Sequence, residues 1–434
     1  MPNETIGALG FAVLAVLVLL GMPIGFAFMF TGLGGLLLLR GVDTTLGFAR
    51  FGPFGATEST VLTVLPLFIL MGNFLIVSGT ATELFDAAYK WVGRFRGGLA
   101  YATILGVFGF SVISGSSAAS TATFGRVALP EMKARGYDDR LSSGTIAAGA
   151  TMDILVPPSI TAVLYGLITE TSIGKVLIAG FLPGFVVMAS YFVVIFVLLR
   201  WKPGWAPSHA VTVTWRERFA SLKGIMPTMV IMMLVMGTIY LGIATPTEAA
   251  AVGAVCVFAL VAVRGKLSKA VMSSTFRGTM ESTVMVLVIL IGASVFTVFL
   301  TVSGVAQTAA SHVINLGLPP LQFYIVLILL YIFLGMFLDP LAMMLITLPF
   351  LMPVVRTLGW DPVWFGIFII RMAGIGLITP PLGLNVYVLK GVAPGVKLNA
   401  MWIGVAPFIV ADMFTLALFY AFPDIILVLP RMMR

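Results

Sequence analysis

Two short stretches with paired prolines, Asp153-Ile-Leu-Val-Pro-Pro-Ser159 and Gly376-Leu-Ile-Thr-Pro-Pro-Leu382, are the strongest structural signal in this chain. The two proline pairs lie 223 residues apart, from Pro157 to Pro380. Other landmarks recur at this offset or, towards the end, at an offset one residue longer: Pro130 with Pro353, Gly136-Tyr137-Asp138 with Gly359-Trp360-Asp361, and Gly180 and Pro183 with Gly404 and Pro407. Several matches in the same order predict two copies of one structural unit.

The composition is that of a membrane protein. Of the 434 residues, 60% are hydrophobic and 10% are charged, whereas about a quarter of the residues in soluble domains are charged. A lipid bilayer can accommodate so much apolar surface, and a helix of about 20 apolar residues crosses it. We do not expect the first 40 residues to be a cleaved signal peptide, because Glu4 is the only charge before Arg40 and the apolar run is too long.

Apolar segments alternate with polar connections along the chain. The apolar segments span approximately 5–39, 61–82, 98–129, 142–166, 174–199, 225–244, 247–263, 281–303, 321–338, 340–355, 363–389 and 400–430. Four clusters of basic residues lie in the connections: Lys90, Arg94 and Arg96; Lys133, Arg135 and Arg140; Arg200, Lys202, Arg216, Arg218 and Lys223; and Arg264, Lys266, Lys269 and Arg277. Cytoplasmic loops collect Lys and Arg, so the net charge of +8 predicts orientation in a membrane and no nucleic-acid partner.

With all four clusters in the cytoplasm, the segment 98–129 enters and leaves the membrane on the same side. It is therefore predicted to be a re-entrant hairpin that turns at Ser114-Gly-Ser-Ser-Ala-Ala-Ser120. The connection 304–320 has no Lys or Arg and is predicted to be external, so 321–355 forms a second hairpin from the opposite side, turning at Leu338-Asp339-Pro340. The predicted fold is an all-α polytopic membrane protein of two inverted repeats, each with a re-entrant hairpin and a broken helix.

The paired prolines mark the predicted breaks. Each pair removes two amide donors and disfavours helix before it, which leaves carbonyl oxygens free. Such oxygens suit a hard cation such as Na⁺, while the N-termini of half-helices suit a carboxylate. Secondary transporters with inverted repeats hold substrate and ions at breaks of this kind. Two ordinary proline kinks are the alternative, and the recurrence of both breaks at one repeat offset favours the transporter.

Polar side chains near the first hairpin and the second break are candidate ligands. The stretch Ser114–Thr123 carries six hydroxyl side chains within ten residues, which is dense for a small-residue packing face. We interpret it as an ion or substrate contact. Asn385 lies five residues after Pro380. Its amide can donate to and accept from a carboxylate or hydroxyl substrate, and an interhelical hydrogen bond is the alternative.

Charged side chains inside apolar segments are expensive and are functional candidates by default. Asp153 could form a structural ion pair with Arg126 or Arg371, or it could hold sodium or titrate. We favour the ion, because a bare carboxylate would repel an anionic substrate. Asp339 could act similarly or could cap a helix. Arg371 could neutralise substrate charge or extend towards the membrane surface.

No enzymatic site is predicted. The single cysteine, Cys256, excludes an internal disulfide and a multi-cysteine metal site, and we interpret it as a small buried hydrophobe. His209 and His312 lie far apart in connecting segments. An intramembrane serine hydrolase using Ser116 or Ser117 would lack a base. No catalytic residue and no cofactor are therefore expected, apart from Na⁺ as a coupling ion.

Four strings resemble the large membrane subunit, of DctM type, of tripartite ATP-independent periplasmic (TRAP) transporters. They are Ser111-Val-Ile-Ser-Gly-Ser-Ser117, Leu155-Val-Pro-Pro-Ser159, Gly376-Leu-Ile-Thr-Pro-Pro-Leu-Gly-Leu-Asn385 and Pro66-Leu-Phe-Ile-Leu-Met-Gly-Asn73. The resemblance runs from about residue 5 to 430. It implies a multi-pass protein of the bacterial inner membrane that works as a sodium-coupled elevator.

The resemblance also implies a division of the chain and a set of ligands. Scaffold helices would occupy 1–82 and 225–303, a cytoplasmic linker 201–224, and the transport domain 83–200 and 304–434, with hairpins at about 98–129 and 321–355 and broken helices at 142–166 and 363–389. The first sodium site would use Ser111, Ser114, Asp153, Val156 and Pro158; the second would use Gly335, Gly376, Thr379 and Leu382. Substrate would lie near Ser116, Ser117, Ser120 and Asn385.

The partners implied by the resemblance are separate polypeptides. A small four-helix membrane subunit of DctQ type would brace the scaffold, and a periplasmic binding protein of DctP type would deliver a small organic anion such as a C4-dicarboxylate or a sugar acid. Asp153 departs from the family, in which this position is often glycine, so ion stoichiometry or substrate preference could differ. A self-sufficient sodium/carboxylate symporter with the same plan is the alternative, and a channel is a third.

Overall fold

The computed structural model describes residues 2–58, 60–207 and 213–433. Within these ranges the regular structure is helical and contains no β-strand, which confirms the predicted all-α class. Seven of the described helical stretches are long and apolar enough to cross a bilayer, and a bent pair formed by 64–78 and 80–92 would make an eighth. His209 lies outside the described residues.

Twenty α-helices lie in the described part of the chain. They are α1 Asn3–Leu19, α2 Ile24–Thr57, α3 Val64–Ser78, α4 Thr80–Val92, α5 Gly98–Ser114, α6 Ser117–Ala134, α7 Asp139–Gly149, α8 Ile160–Thr169, α9 Ile173–Ala179, α10 Phe181–Trp201, α11 Trp215–Tyr240, α12 Pro246–Val263, α13 Lys269–Ser303, α14 Val305–Asn315, α15 Pro320–Gly335, α16 Pro340–Thr357, α17 Pro362–Gly376, α18 Leu384–Val392, α19 Leu398–Ala421 and α20 Asp424–Met432.

Both predicted hairpins are present. The first consists of α5 and α6, whose 17 and 18 residues give arms about 25 Å long at 1.5 Å per residue. Between them the chain turns at Gly115 and Ser116, and the Ser116 side chain caps α6. The second consists of α15 and α16. There Asp339 accepts hydrogen bonds from the amides of Leu341 (2.9 Å) and Ala342 (3.2 Å), so it has the helix-capping role that the sequence left open.

Both predicted breaks are also present. In the first repeat, α7 continues into a 3₁₀ turn, Ala150–Ile154, and the helix resumes as α8 after Pro157-Pro158. In the second repeat, α17 ends at Gly376 and α18 begins at Leu384, after Pro380-Pro381. Both Pro–Pro peptide bonds are cis.

The repeated Gly-aromatic-Asp motif caps the helices that lead to the breaks. Asp138 caps α7 by accepting from the Arg140 amide (2.8 Å), and Asp361 caps α17 by accepting from the Val363 amide (2.7 Å). The Arg140 guanidinium also donates to the Asp138 carboxylate (2.9 Å), and these hydrogen bonds hold the pKa of Asp138 below its usual value. The 223-residue offset therefore relates equivalent caps.

The two repeats exchange contacts reciprocally. The second arm of the first hairpin, α6, packs on α18 of the second repeat, and the second arm of the second hairpin, α16, packs on α8 of the first. Within each repeat the first arm packs on the helix before the break, α5 on α7 and α15 on α17. This is the arrangement of two inverted repeats around an approximate two-fold axis, as predicted.

Helix α3 joins α4 and α13 joins α14 through the same turn, which we call an elbow. Ser78-Gly79 forms the first elbow and Ser303-Gly304 the second. The two glycines have φ angles of +82° and +74°, a region that favours glycine. Each serine hydroxyl accepts from the amide two residues on, at 3.2 Å in the first elbow and 3.4 Å in the second. Helix α4 packs on the first hairpin and α14 on the second.

The sequence did not predict the elbows. It assigned 61–82 to one apolar segment, whereas the helix turns by 64° after Ser78, and it left 304–320 as an external connection, whereas α14 occupies most of it. Helix α11 begins at Trp215, inside the segment 201–224 assigned to a cytoplasmic linker. Amphipathic helices that are short and partly polar give little signal in a search for apolar spans.

Candidate functional site

Asp153 lies in the 3₁₀ turn at the first break, with its side chain fully buried. Its Oδ2 accepts a hydrogen bond from the Ser120 hydroxyl of α6. The hydroxyls of Ser111 and Ser114, at the end of α5, lie close to the same carboxylate, but Ser111 donates to the Val107 carbonyl (2.8 Å). Oδ1 has no hydrogen-bond partner among the described residues.

An unpartnered, buried carboxylate oxygen is costly, and a cation would satisfy it. The predicted ion pairs of Asp153 do not form, because Arg371 pairs with Asp412 and Arg126 is exposed. The interpretation of Asp153 as a structural ion pair is therefore wrong. What remains is a carboxylate surrounded by hydroxyl groups, and such oxygen donors suit hard cations.

The tip of the first hairpin reaches the first break. A Cβ placed on Gly115 would lie 2.9 Å from the Pro158 carbonyl oxygen, so this part of the backbone is in close contact with the tip. Val156 is buried, and its side chain packs towards Gly184 of α10. The structure thus brings Ser111, Ser114, Asp153 and Pro158 of the first predicted sodium site to one place.

The predicted substrate residues divide into two groups. Asn385 donates to the Ser117 hydroxyl (2.8 Å) and to the Ala147 carbonyl (3.1 Å), while Ser117 donates to the Ala150 carbonyl (2.7 Å). All these bonds are buried and join α6 and α18 to α7 and to the 3₁₀ turn that follows it. Ser120 instead belongs with Asp153. In this conformation Asn385 therefore makes the interhelical hydrogen bonds that the sequence left as its alternative role.

The second predicted sodium site is built on a close helix crossing. A Cβ on Gly335 would lie 2.6 Å from the Cα of Gly376, and a Cβ on Gly376 would lie 2.6 Å from the Cα of Gly335. Only residues without a side chain allow α15 and α17 to approach so closely. Thr379 is buried and donates to the Ile375 carbonyl (2.7 Å), whereas Leu382 is 48% exposed at the edge of the break.

A cavity of ≈ 820 Å³ lies beside the tip of the second hairpin. Asp339 lines it from the tip, Glu281 and apolar residues line it from α13, and residues 21–26 line it from the start of α2. The Glu281 carboxylate is paired with Arg277 (2.7 Å), and Asp339 Oδ1 caps α16.

A buried ion pair joins α17 to α19. Arg371 is fully buried, contacts the Asp412 carboxylate through Nη2, and donates to the Tyr191 hydroxyl (3.0 Å) and to Thr151 Oγ1 (3.2 Å). Tyr191 in turn donates to Asp412 Oδ2 (3.2 Å). Both roles proposed for Arg371 from sequence, substrate neutralisation and extension to the membrane surface, are wrong in this structure because the guanidinium is enclosed and paired.

Asp412 was not among the residues predicted from the sequence. The signal was available, since Asp412 is an acidic residue within the apolar segment 400–430, and such residues need a partner. No metal-binding group of three or more His, Cys, Asp or Glu side chains occurs among the described residues.

Comparison with known proteins agrees with this architecture. The profile of the family "Tripartite ATP-independent periplasmic transporter, DctM component" matches residues 11–425. The C4-dicarboxylate TRAP transporter large permease protein of Pseudomonas aeruginosa is 36% identical, over 87% of this chain and 88% of its own length. The sialic acid TRAP transporter large permease protein of Vibrio cholerae is 32% identical, over 95% of each chain.

A solved structure shares the fold. The YdaH transporter of Alcanivorax borkumensis superposes with a TM-score of 0.58 at 17% identity, over 89% of this chain and 90% of the other. The family profile covers nearly the whole chain, and the relatives are permeases. The chain therefore belongs to the DctM-component family and is the large permease of a TRAP transporter, a multi-pass inner-membrane transport protein and not an enzyme.

Proposed function

We propose that this permease imports a small organic anion together with sodium ions, through an elevator movement of its two hairpins. The observation that carries the proposal is the enclosed Asp153 carboxylate at the first break, with one oxygen lacking a partner. Its surroundings supply hydroxyl and carbonyl oxygens, which are the ligands of hard cations. Sodium bound there would offset the cost of burying the charge.

The anion is proposed to bind between the hairpin tip and the second break. Helices α6 and α18 begin at Ser117 and Leu384, and helix N-termini favour negatively charged groups. Ser117 and Asn385 already bond to each other, so a substrate would bind them by replacing that hydrogen bond. The relatives named for C4-dicarboxylates and sialic acid both carry carboxylated substrates, which supports this class.

The partners are proposed from family membership. A small four-helix membrane subunit would brace α2, α11, α12 and α13, and a periplasmic binding protein would deliver the anion. The experiment is uptake into vesicles that contain this chain, the small subunit and the binding protein encoded beside it. We expect labelled substrate to accumulate only with an inward sodium gradient. Uptake driven equally by potassium or by a proton gradient would overturn sodium coupling, and uptake without the binding protein would favour a self-sufficient symporter.

Replacing Asp153 by asparagine should weaken sodium binding. The change keeps the shape of the side chain and removes its charge, whose attraction to a cation 4 Å away is about 4 kcal/mol at an effective dielectric constant of 20, before desolvation costs. We expect the sodium concentration for half-maximal uptake to rise by about tenfold or more. Asp138→Asn is the control, because asparagine also caps helices. An unchanged sodium dependence in Asp153→Asn would exclude the carboxylate as a ligand.

The two elbows support an elevator. They connect scaffold helices to the helices that pack on the hairpins, and they occupy equivalent positions in both repeats. The first elbow is held by side chains of the loop after α12: Arg264 donates to the Ser78 carbonyl (3.1 Å) and to Glu83 (2.7 Å), and Lys266 donates to the same carbonyl (2.7 Å). Domain movements take place at a few hinge residues between rigid elements, and the glycine elbows are the proposed hinges here.

Replacing Gly304 by alanine tests the second elbow. A Cβ there would meet nothing within 4 Å, so the change acts only through the backbone, where an L-residue in the left-handed region costs about 1–2 kcal/mol. We expect a loss of thermal stability of that order and a several-fold slower initial uptake, since alanine restricts the conformations that the elbow can visit. Gly34→Ala, also without a neighbour within 4 Å, lies inside helix α2, where alanine is favoured over glycine by about 1 kcal/mol, so it should leave uptake unchanged and should not lower thermal stability. Wild-type uptake by Gly304→Ala would argue against a hinge at this position.

A further inference from the structure

The Arg371 network is attached to both broken helices immediately before their breaks. Thr151 lies two residues before Asp153, and Arg371 lies five residues before Gly376. The helices also meet here directly: Thr151 and Gly374 are equivalent by the 223-residue offset, and a Cβ on Gly374 would lie 3.6 Å from the Thr151 carbonyl oxygen. The network thus lies where the two repeats cross.

The ion pair within this network belongs to the second repeat alone, because Arg371 lies on α17 and Asp412 on α19. By the repeat offsets, Ala148 is the counterpart of Arg371 and Met188 is the counterpart of Asp412. Both counterparts are uncharged, and Ala148 is fully buried. Packing of the repeats therefore does not require an ion pair at this position. Burying an ion pair is energetically costly. Its presence here therefore has a reason other than the packing of the repeats.

The hydrogen bond from Arg371 to Thr151 indicates a reason for the buried ion pair. The Thr151 hydroxyl donates to the Ala148 carbonyl (2.7 Å), accepts from Arg371 Nη1 (3.2 Å) and lies 3.2 Å from the Tyr191 hydroxyl of the same network. One side chain of the second repeat thereby orients the last turn of α7 and the 3₁₀ turn that carries Asp153. Asp412 and Tyr191 hold the planar guanidinium in place. Because the group is planar and fixed, a shift of α17 would also shift its contact with Thr151.

We propose that Arg371 is a positioning residue that couples the two ion sites. This inference rests on the proposed function, because it requires a sodium site at each break. Sodium binding at the second break fixes the end of α17. Because Arg371 lies on α17 and donates to Thr151, it also fixes the turn that carries Asp153. The two ions then bind cooperatively, as expected when two sites bias one shared element.

The test is Thr151→Val in the full-length chain. Valine has nearly the same shape and removes the hydroxyl that contacts Arg371 and Tyr191, while the Arg371–Asp412 pair stays intact. Two controls are available. Thr151→Ser keeps the hydroxyl. Thr145→Val removes a hydroxyl of the preceding helix, α7, that donates to the Leu141 carbonyl (2.7 Å) and is likewise fully buried.

Equilibrium binding of radioactive sodium is measured at constant ionic strength, with choline as the balancing cation. We expect the wild type, Thr151→Ser and Thr145→Val to bind two ions with a Hill coefficient approaching about 2, the number of sites. Thr151→Val should still bind two ions, with a coefficient near about 1.

Either of two results would overturn the coupling alone: a Hill coefficient of about 1 in a wild type that binds two ions, or an unchanged coefficient in Thr151→Val. A wild type that binds one sodium ion would remove the second site on which this inference rests, and a wild type that binds none would overturn the proposed function as well. Because stoichiometry and cooperativity come from the same titration, the two failures are distinguishable.

Discussion

Replacing Asp412 by leucine is expected to destabilise the protein by about 3–5 kcal/mol, which is the usual cost of leaving one member of a buried ion pair without its partner. Arg371 is fully buried and already has one unpartnered donor, Nε. After the substitution the remaining hydroxyls, of Tyr191 and Thr151, cannot balance a full positive charge. The expected readout is a large drop in the yield of folded protein and in its unfolding temperature in detergent.

The double variant Arg371→Met/Asp412→Leu makes this prediction specific. Apolar residues of similar volume often replace a buried ion pair with little loss or with a gain in stability, so we expect the second change to restore most of what the first removed. Arg277→Met is the control, because Arg277 and Glu281 form an exposed pair with side chains 80% and 63% accessible, a kind that contributes about 0–1 kcal/mol. An Asp412→Leu variant as stable as the wild type would show that the guanidinium finds another partner.

Replacing Gly376 by alanine is expected to separate the second hairpin from the second break. The added Cβ would lie 2.6 Å from the Cα of Gly335, and both atoms belong to helical backbones that cannot rotate away. Overpacking of this kind costs about 1–3 kcal/mol or more. Since both glycines belong to the proposed second sodium site, sodium-driven uptake should be lost as well.

The matched control is Gly374→Ala, two residues earlier on the same helix. Its Cβ would approach Ile154 Cδ1 at 3.0 Å, the far end of a flexible side chain that can move by a few tenths of an ångström. We expect folding and uptake close to those of the wild type. Thermal unfolding and uptake are measured for both variants. Equal behaviour of Gly376→Ala and Gly374→Ala would mean that α15 and α17 can separate without consequence for the site.

The features that the sequence predicted correctly are marked by residues close to one another in the chain. Proline pairs end a helix wherever they occur, so both breaks follow from Pro157-Pro158 and Pro380-Pro381. The hairpin at α5 and α6 follows from the basic clusters on either side of it, since loops rich in Lys and Arg stay in the cytoplasm. The repeat itself was visible because those local signals recur at one offset.

The side-chain partners could not be predicted in this way. Asn385 and Ser117 are 268 residues apart in the chain, and Arg371 and Thr151 are 220 apart. Their pairing depends on how the two repeats dock, which many apolar contacts determine together. The ligand sets proposed for the sodium sites stay predictions, although the structure places most of each set together.

Asp153 has one property that follows from the sequence and another that only the tertiary structure decides. From the sequence alone it is an acidic residue before a proline pair in an apolar segment, which is enough to expect a broken membrane helix and a buried charge. Whether a cationic side chain lies within reach of that charge depends on the tertiary structure. Arg371 pairs with Asp412 instead, and the partner of Asp153 is the Ser120 hydroxyl of the neighbouring hairpin arm. Helix breaks are local because they arise from missing amide donors, whereas a buried charge is balanced by whichever group the packed helices bring within reach.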